Sequence, residues 1–97
     1  LYYPATPEEA SFLEESGIYP SDRAMVHLSL TYGDAFRAGS VRVEEPVILE
    51  IDTDVCIDMG FDIGKAARTV FLCRHVPPEA IAVAEPEDFE DEGEGEE

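Results

Sequence analysis

Positive charge is scarce in this chain. Its 97 residues hold 6 lysines and arginines against 23 aspartates and glutamates, a formal net charge of −17. So acidic a surface repels nucleic acid as a whole, and any RNA contact has to be local and arginine-mediated. Tryptophan is absent, and there are only 2 cysteines. Cys56 and Cys73 are too few and too far apart in sequence for a disulfide framework or a zinc knuckle. They read as buried free thiols in a reducing compartment, which points to the cytoplasm. No apolar run approaches the roughly 18 residues that a membrane span needs. Gly33, Gly39, Gly60 and Gly64 match neither a GxGxxG turn nor a P-loop. No signal peptide is visible, but the chain opens at Leu1 rather than Met, so a piece of a longer protein is expected.

What is present supports one domain. The apolar fraction, 44%, supplies a single modest core with a thin stability margin. The acidic charge is unevenly spread. Glu85–Glu97 carries nine acidic residues and no basic one, which leaves 14 acidic against 6 basic in Leu1–Ala84, a balance of −8. The body is therefore acidic too, and its basic residues are one lysine (Lys65) and five arginines. That balance is the halophile pattern, in which salt screens self-repulsion. The expected division is a folded lobe over 1–84 and a solvated, disordered acidic tail over 85–97.

Local signals place the elements. Leu1–Tyr3 reads as a short strand stopped by Pro4. Thr6-Pro7-Glu8-Glu9 is a capping box with Pro at the first helical position, and Gly17 ends the helix it opens. Ile18–Asp22 is a loop. Met25–Leu28 is a strand, followed by a short helix capped by Thr31 and terminated at Gly39. Pro46–Asp52 is the most strongly patterned strand. Asp52 or Thr53 caps a helix over Asp54–Met59, closed by Gly60. Phe61–Ile63 and Thr69–Cys73 read as strands, Val76–Glu79 as a rigid turn, and Ile81–Ala84 as an edge strand. Short helices among strands that follow one another directly give an α+β fold. In Met25-Val26-His27-Leu28-Ser29, alternation sets His27 and Ser29 on one face and Val26 and Leu28 on the other. Such a polar pair lines a cleft or is merely a solvent side.

Six pieces in order favour the cleft. MVHLS, a short helix ending at Gly39, then Arg42, PVILEID, TVFL and VPPEAI together resemble the C-terminal half of the NAD-dependent RNA 2′-phosphotransferases, over nearly all of Leu1–Val83. The resemblance implies an ADP-ribosyltransferase-like fold: two small, mostly antiparallel sheets with flanking helices around a cleft for NAD. It implies removal of an internal 2′-phosphate from RNA, of the tRNA splice-junction type, by transfer to NAD. The products are nicotinamide and a cyclic phosphate of ADP-ribose, and no metal is implied. Arg42 is the implied catalytic residue. Tyr3, Thr6, His27, Leu28 and Ser29 are the implied NAD contacts. Lys65 and Arg68 fall where basic residues near the substrate are expected, whereas His75 matches nothing and reads as solvated.

Two departures stand out. The first strand of the family ends in His-Gly-Thr, where this chain has Tyr3-Pro4-Ala5. Tyr3 can stack and donate one hydrogen bond, but Pro4 has no N–H and cannot take a positive φ. The family also carries an Arg-His pair and a further arginine in an N-terminal winged-helix-like lobe absent from these residues, so that lobe is expected in a longer chain. The alternatives are a catalytically silent NAD or ADP-ribose-binding module, and an acidic interaction domain whose tail recruits a basic partner.

Overall fold

The computed structural model describes residues 1–20, 24–41 and 43–84. Six strands and three α-helices are present: β1 (Tyr2–Ala5), α1 (Pro7–Ser16), β2 (Val26–Ser29), α2 (Tyr32–Gly39), β3 (Val47–Ile51), α3 (Thr53–Asp58), β4 (Ile63–Ala67), β5 (Val70–Cys73) and β6 (Ile81–Val83). A short 3₁₀ turn, Pro78–Ala80, precedes β6. Among the described residues no helix is long and apolar enough to cross a membrane.

The helix starts follow their caps. Thr6 accepts from the Glu9 N–H at 3.2 Å, and Glu9 returns a bond to the Thr6 N–H at 3.1 Å, so the capping box forms as the sequence predicts. Thr31 accepts from the Asp34 N–H at the start of α2. Between the two candidates for α3, Asp52 is the cap, accepting from the backbone of Asp54 and Val55. Gly17 closes α1 at φ +88°, where a Cβ would lie 2.5 Å from the Val76 carbonyl. Gly39 ends α2 by a different means. It is the last residue of α2, where the sequence predicts the helix to end, but it has no positive φ and its role is close approach, since a Cβ there would meet Pro46 at 2.7 Å and Pro4 at 2.8 Å.

The two-sheet expectation is corrected. All six strands form one antiparallel sheet in the order β4-β5-β2-β1-β3-β6. Its middle is narrow, however: β1 and β2 meet only through Tyr2↔Ser29, whereas β1 pairs with β3 at four positions. Two three-stranded ladders thus share one residue pair. Pro4 accounts for the narrowing. It does not stop β1, which runs on to Ala5. Leu1 and Ile51 exchange backbone hydrogen bonds at 2.7 and 3.2 Å. Alternation along an antiparallel ladder then turns the backbones of Tyr3 and Ala5 toward β3 and those of Tyr2 and Pro4 toward β2. Pro4 is the first position past the Tyr2↔Ser29 pair on that side, and it has no N–H to continue the ladder.

One strand was misplaced by local signals. β4 covers Ile63–Ala67 rather than Phe61–Ile63. Gly64-Lys65-Ala66-Ala67 has weak strand propensity and is held by pairing with β5, so tertiary context overrides the local preference.

The main core lies on one face of the sheet, where Leu28, Leu49, Ile51 and Ala5 meet Ala10 of α1, Cys56 of α3, Ile18 and Val76. A smaller cluster on the other face joins Ile48 to Tyr32 and Ala35 of α2, with Tyr2 and Phe36 at its margin. Cys56 and Cys73 are free, buried thiols in the main cluster. Burial, with Cys73 alongside, pushes the Cys56 thiol up to about 11. The thiolate is the reactive form, so Cys56 is inert at ordinary pH. Labelling with an aromatic disulfide reagent at pH 8 is expected to be slow in the native protein and complete within the mixing time in denaturant. Fast native labelling of Cys56 would contradict this packing.

His75 is not solvated. It is half-buried, stacked on Tyr19 at 4.1 Å between ring centroids and edge-on to Phe61 at 5.0 Å, with Nδ1 3.0 Å from the Ile18 carbonyl. These contacts pin the chain after α1 to the segment after β5.

Candidate functional site

Strand alternation and register decide which side chains share a surface. Tyr2 lies opposite Ser29 and Glu50, and His27 opposite Leu72. Tyr2, Ser29 and His27 are therefore on one face, together with Val70 and Leu72 of β5 and Gly64 of β4. His27 is exposed and Ser29 half-buried. The His27 Nδ1 lies 3.2 Å from the Met25 carbonyl. A carbonyl only accepts, so Nδ1 carries the proton in that bond and Nε2 is the acceptor of the neutral ring. An imidazole and a hydroxyl two residues apart on a strand stand about 7 Å apart, a spacing suited to the hydroxyls of one ribose.

Tyr3 and Leu28 lie on the opposite face from His27 and Ser29. Tyr3 is half-buried against the main core, and Leu28 is 1% exposed within it. Thr6 is occupied as the cap of α1. The structure thus brings together only His27 and Ser29 of the five expected cofactor contacts. Arg42 lies outside the described residues. Val43, which follows α2 at a short distance in the chain, donates its N–H to the Gly39 carbonyl at 3.1 Å.

Tyr2 is the aromatic residue on the His27–Ser29 face, and sequence reasoning passed over it in favour of Tyr3. Its ring stands edge-on to Tyr32 at 6.1 Å, and Tyr32 stacks on Phe36 at 6.4 Å, so α2 fixes its position. Alternation carried across from His27 would have found it, had the Tyr2↔Ser29 register been known.

An open depression of about 440 Å³ lies over the other ladder, lined by Glu50, Asp52, Thr53 and Glu79 among others. Its three carboxylates make it unsuited to a phosphate. Among the described residues no group of three or more His, Cys, Asp or Glu side chains is placed to hold a metal ion.

No family model matches the sequence. Comparison with curated proteins gives a consistent result. The chain is 44% identical over 88 residues to a protein of Thermoplasma acidophilum named probable RNA 2′-phosphotransferase, covering 91% of this chain and 37% of that protein. Proteins of the same name from Methanosarcina barkeri and Pyrococcus furiosus are 39% identical over 85 residues and 37% identical over 82 residues. These alignments cover 88% and 84% of this chain, and 41% and 45% of the relatives. The chain thus spans less than half the length of the curated relatives it matches.

Proposed function

Over the residues it shares with these relatives the chain belongs to the RNA 2′-phosphotransferase family, and we propose that it forms the NAD-binding lobe of an enzyme that removes an internal 2′-phosphate from RNA. The observation that carries this reading is the placement of His27, which is exposed, and Ser29 on one face beside the narrow junction of the two ladders. NAD, when bound, supplies the ribose that takes the phosphate, with nicotinamide as the leaving group.

The chain's own residues bind and orient. His27 and Ser29 hydrogen-bond ribose hydroxyls from the strand, and Tyr2 gives an aromatic edge for a planar ring. Arg42 offers a planar fork to two phosphate oxygens and stays charged at any working pH. Tyr3 and Leu28 hold β1 and β2 to the core, and Thr6 fixes the start of α1. Pro4 keeps a carbonyl acceptor at the junction but has no N–H to offer, so any contact to the amide of nicotinamide there is one-sided. A lobe contributed by other sequence supplies the remaining cationic groups, and tRNA splice junctions are the proposed source of substrate.

Titration calorimetry with NAD tests the site. His27→Ala and Ser29→Ala are each expected to weaken binding about tenfold, the worth of one hydrogen bond to a charged or polar ligand group. Unchanged affinity in both variants would remove this face as the cofactor site. NAD binding without turnover in the full-length gene product would favour the silent binding module.

A further inference from the structure

The pairing register draws one row of side chains across four strands. Ser29 of β2 lies opposite Tyr2 of β1, Tyr2 opposite Glu50 of β3, and Glu50 opposite Ala82 of β6. Directly opposed residues share a face of the sheet, so Glu50 and Ala82 stand on the face that carries His27 and Ser29. Adjacent strands are about 4.8 Å apart, which sets Glu50 about 10 Å from Ser29, with Tyr2 between them. Glu50 is exposed, and among the described residues no side chain is ion-paired with it, whereas Asp34 is held by Arg37. Glu50 and Ala82 also line the depression of about 440 Å³, so the row runs from the candidate site into that hollow. A hollow of this volume is large enough to seat a small molecule. Asp52, also on its rim, is spent on the cap of α3, where its Oδ1 accepts from the Asp54 and Val55 N–H groups. Glu50 is the carboxylate that the hollow and the His27–Ser29 face have in common.

We propose that Glu50 holds the adenosine ribose of NAD and makes the site selective for NAD over NADP. This rests on the reading of the His27–Ser29 face as the NAD site and adds to it the place of the second half of the dinucleotide. A dinucleotide has two riboses, and His27 and Ser29 serve one of them. The charge of Glu50 decides which ribose is left to it. The reacting ribose must admit a phosphate dianion, and a carboxylate beside it would repel that phosphate. The adenosine ribose meets no such demand. Its vicinal hydroxyls are two donors, a carboxylate is purely an acceptor, and the bonds between them are charge-assisted. In dinucleotide-binding folds a carboxylate on the ribose 2′-hydroxyl is a common device for taking NAD. It also rejects NADP, whose extra phosphate stands at that oxygen and meets like charge. Glu79 lines the same hollow and adds to the repulsion.

The test is titration calorimetry of the full-length gene product with NAD and with NADP, ligands that differ only at the adenosine 2′-oxygen. The unaltered protein is expected to bind NAD at least about tenfold more tightly than NADP. Glu50→Gln keeps the size of the side chain and removes its charge. It should bind NAD about tenfold more weakly, the worth of one charge-assisted hydrogen bond, and NADP no less tightly, so that the preference largely disappears. Glu50→Ala should behave alike. Both variants should melt with the unaltered protein, because Glu50 is exposed. NADP bound as tightly as NAD by the unaltered protein would overturn the assignment. So would an unchanged ratio of the two affinities in Glu50→Gln, whether or not NAD binding weakens, since Glu50 would then act away from the 2′-oxygen. Both of these results would leave the phosphotransferase reading in place. Failure of the unaltered protein to bind NAD at all would overturn both.

Discussion

Arg42→Ala is expected to lower the rate of 2′-phosphate removal by about 10²–10³-fold, the usual cost of losing one group aimed at charge that develops during reaction. A phosphate ester that attacks a ribose carbon brings two negative charges into a site whose surroundings are already acidic, at −8 over Leu1–Ala84. Without a fixed cation the dianion meets only repulsion. A guanidinium supplies that cation and two parallel hydrogen bonds, which hold the phosphate in line as well as neutralising it. Arg42→Lys keeps the charge but loses the fork, so it should recover only part of the rate. The effect belongs in the chemical step: single-turnover rates fall, while NAD affinity measured by calorimetry stays near that of the unaltered protein. Near-normal single-turnover rates for Arg42→Ala would remove it from the catalytic machinery.

Gly39→Ala carries the second large effect, and here the cost is to stability. α2 seats its last turn directly on two proline rings, and an added methyl would sit 2.7 Å from Pro46 Cβ and 2.8 Å from Pro4 Cβ. Neither ring can rotate aside, because each is closed onto its own backbone. α2 must lift off β1, with the overpacking cost of about 1–3 kcal/mol. For a domain of this size that is a fall of roughly 10 °C in Tm. The same displacement shifts Tyr32 against Tyr2. Activity should therefore fall even below the melting transition. A variant that melts within a degree or two of the unaltered protein would show that α2 does not rest on Pro4 as described.

Much of this architecture was legible in the residues. The Thr6–Glu9 capping box, the Thr31 and Asp52 caps and the β-branched run at Val47–Ile51 act locally, so each announces its element within a few positions. Placement of His27 and Ser29 on a common face also follows from period-two alternation alone. What was not legible depends on partners distant in sequence. β4 exists because β5 pairs with it, and its own residues favour no strand. Tyr2 and Tyr3 are neighbours with equal claims, and only the register with Ser29 and Glu50 decides which one shares the His27 face. Pro4 read as the end of a strand. Its consequence, a sheet that nearly divides in two, appears only when its backbone is known to point toward β2. His75 read as solvated because Tyr19 and Phe61 lie far from it in sequence.

The phosphotransferase account is tested most directly by following nicotinamide release and loss of RNA 2′-phosphate in one reaction of the full-length gene product. Parallel reactions omit NAD or replace the substrate with RNA lacking the 2′-phosphate. The account predicts that the two products appear one for one and that each requires both reactants. Free phosphate released without NAD, or nicotinamide released equally well with unphosphorylated RNA, would contradict it.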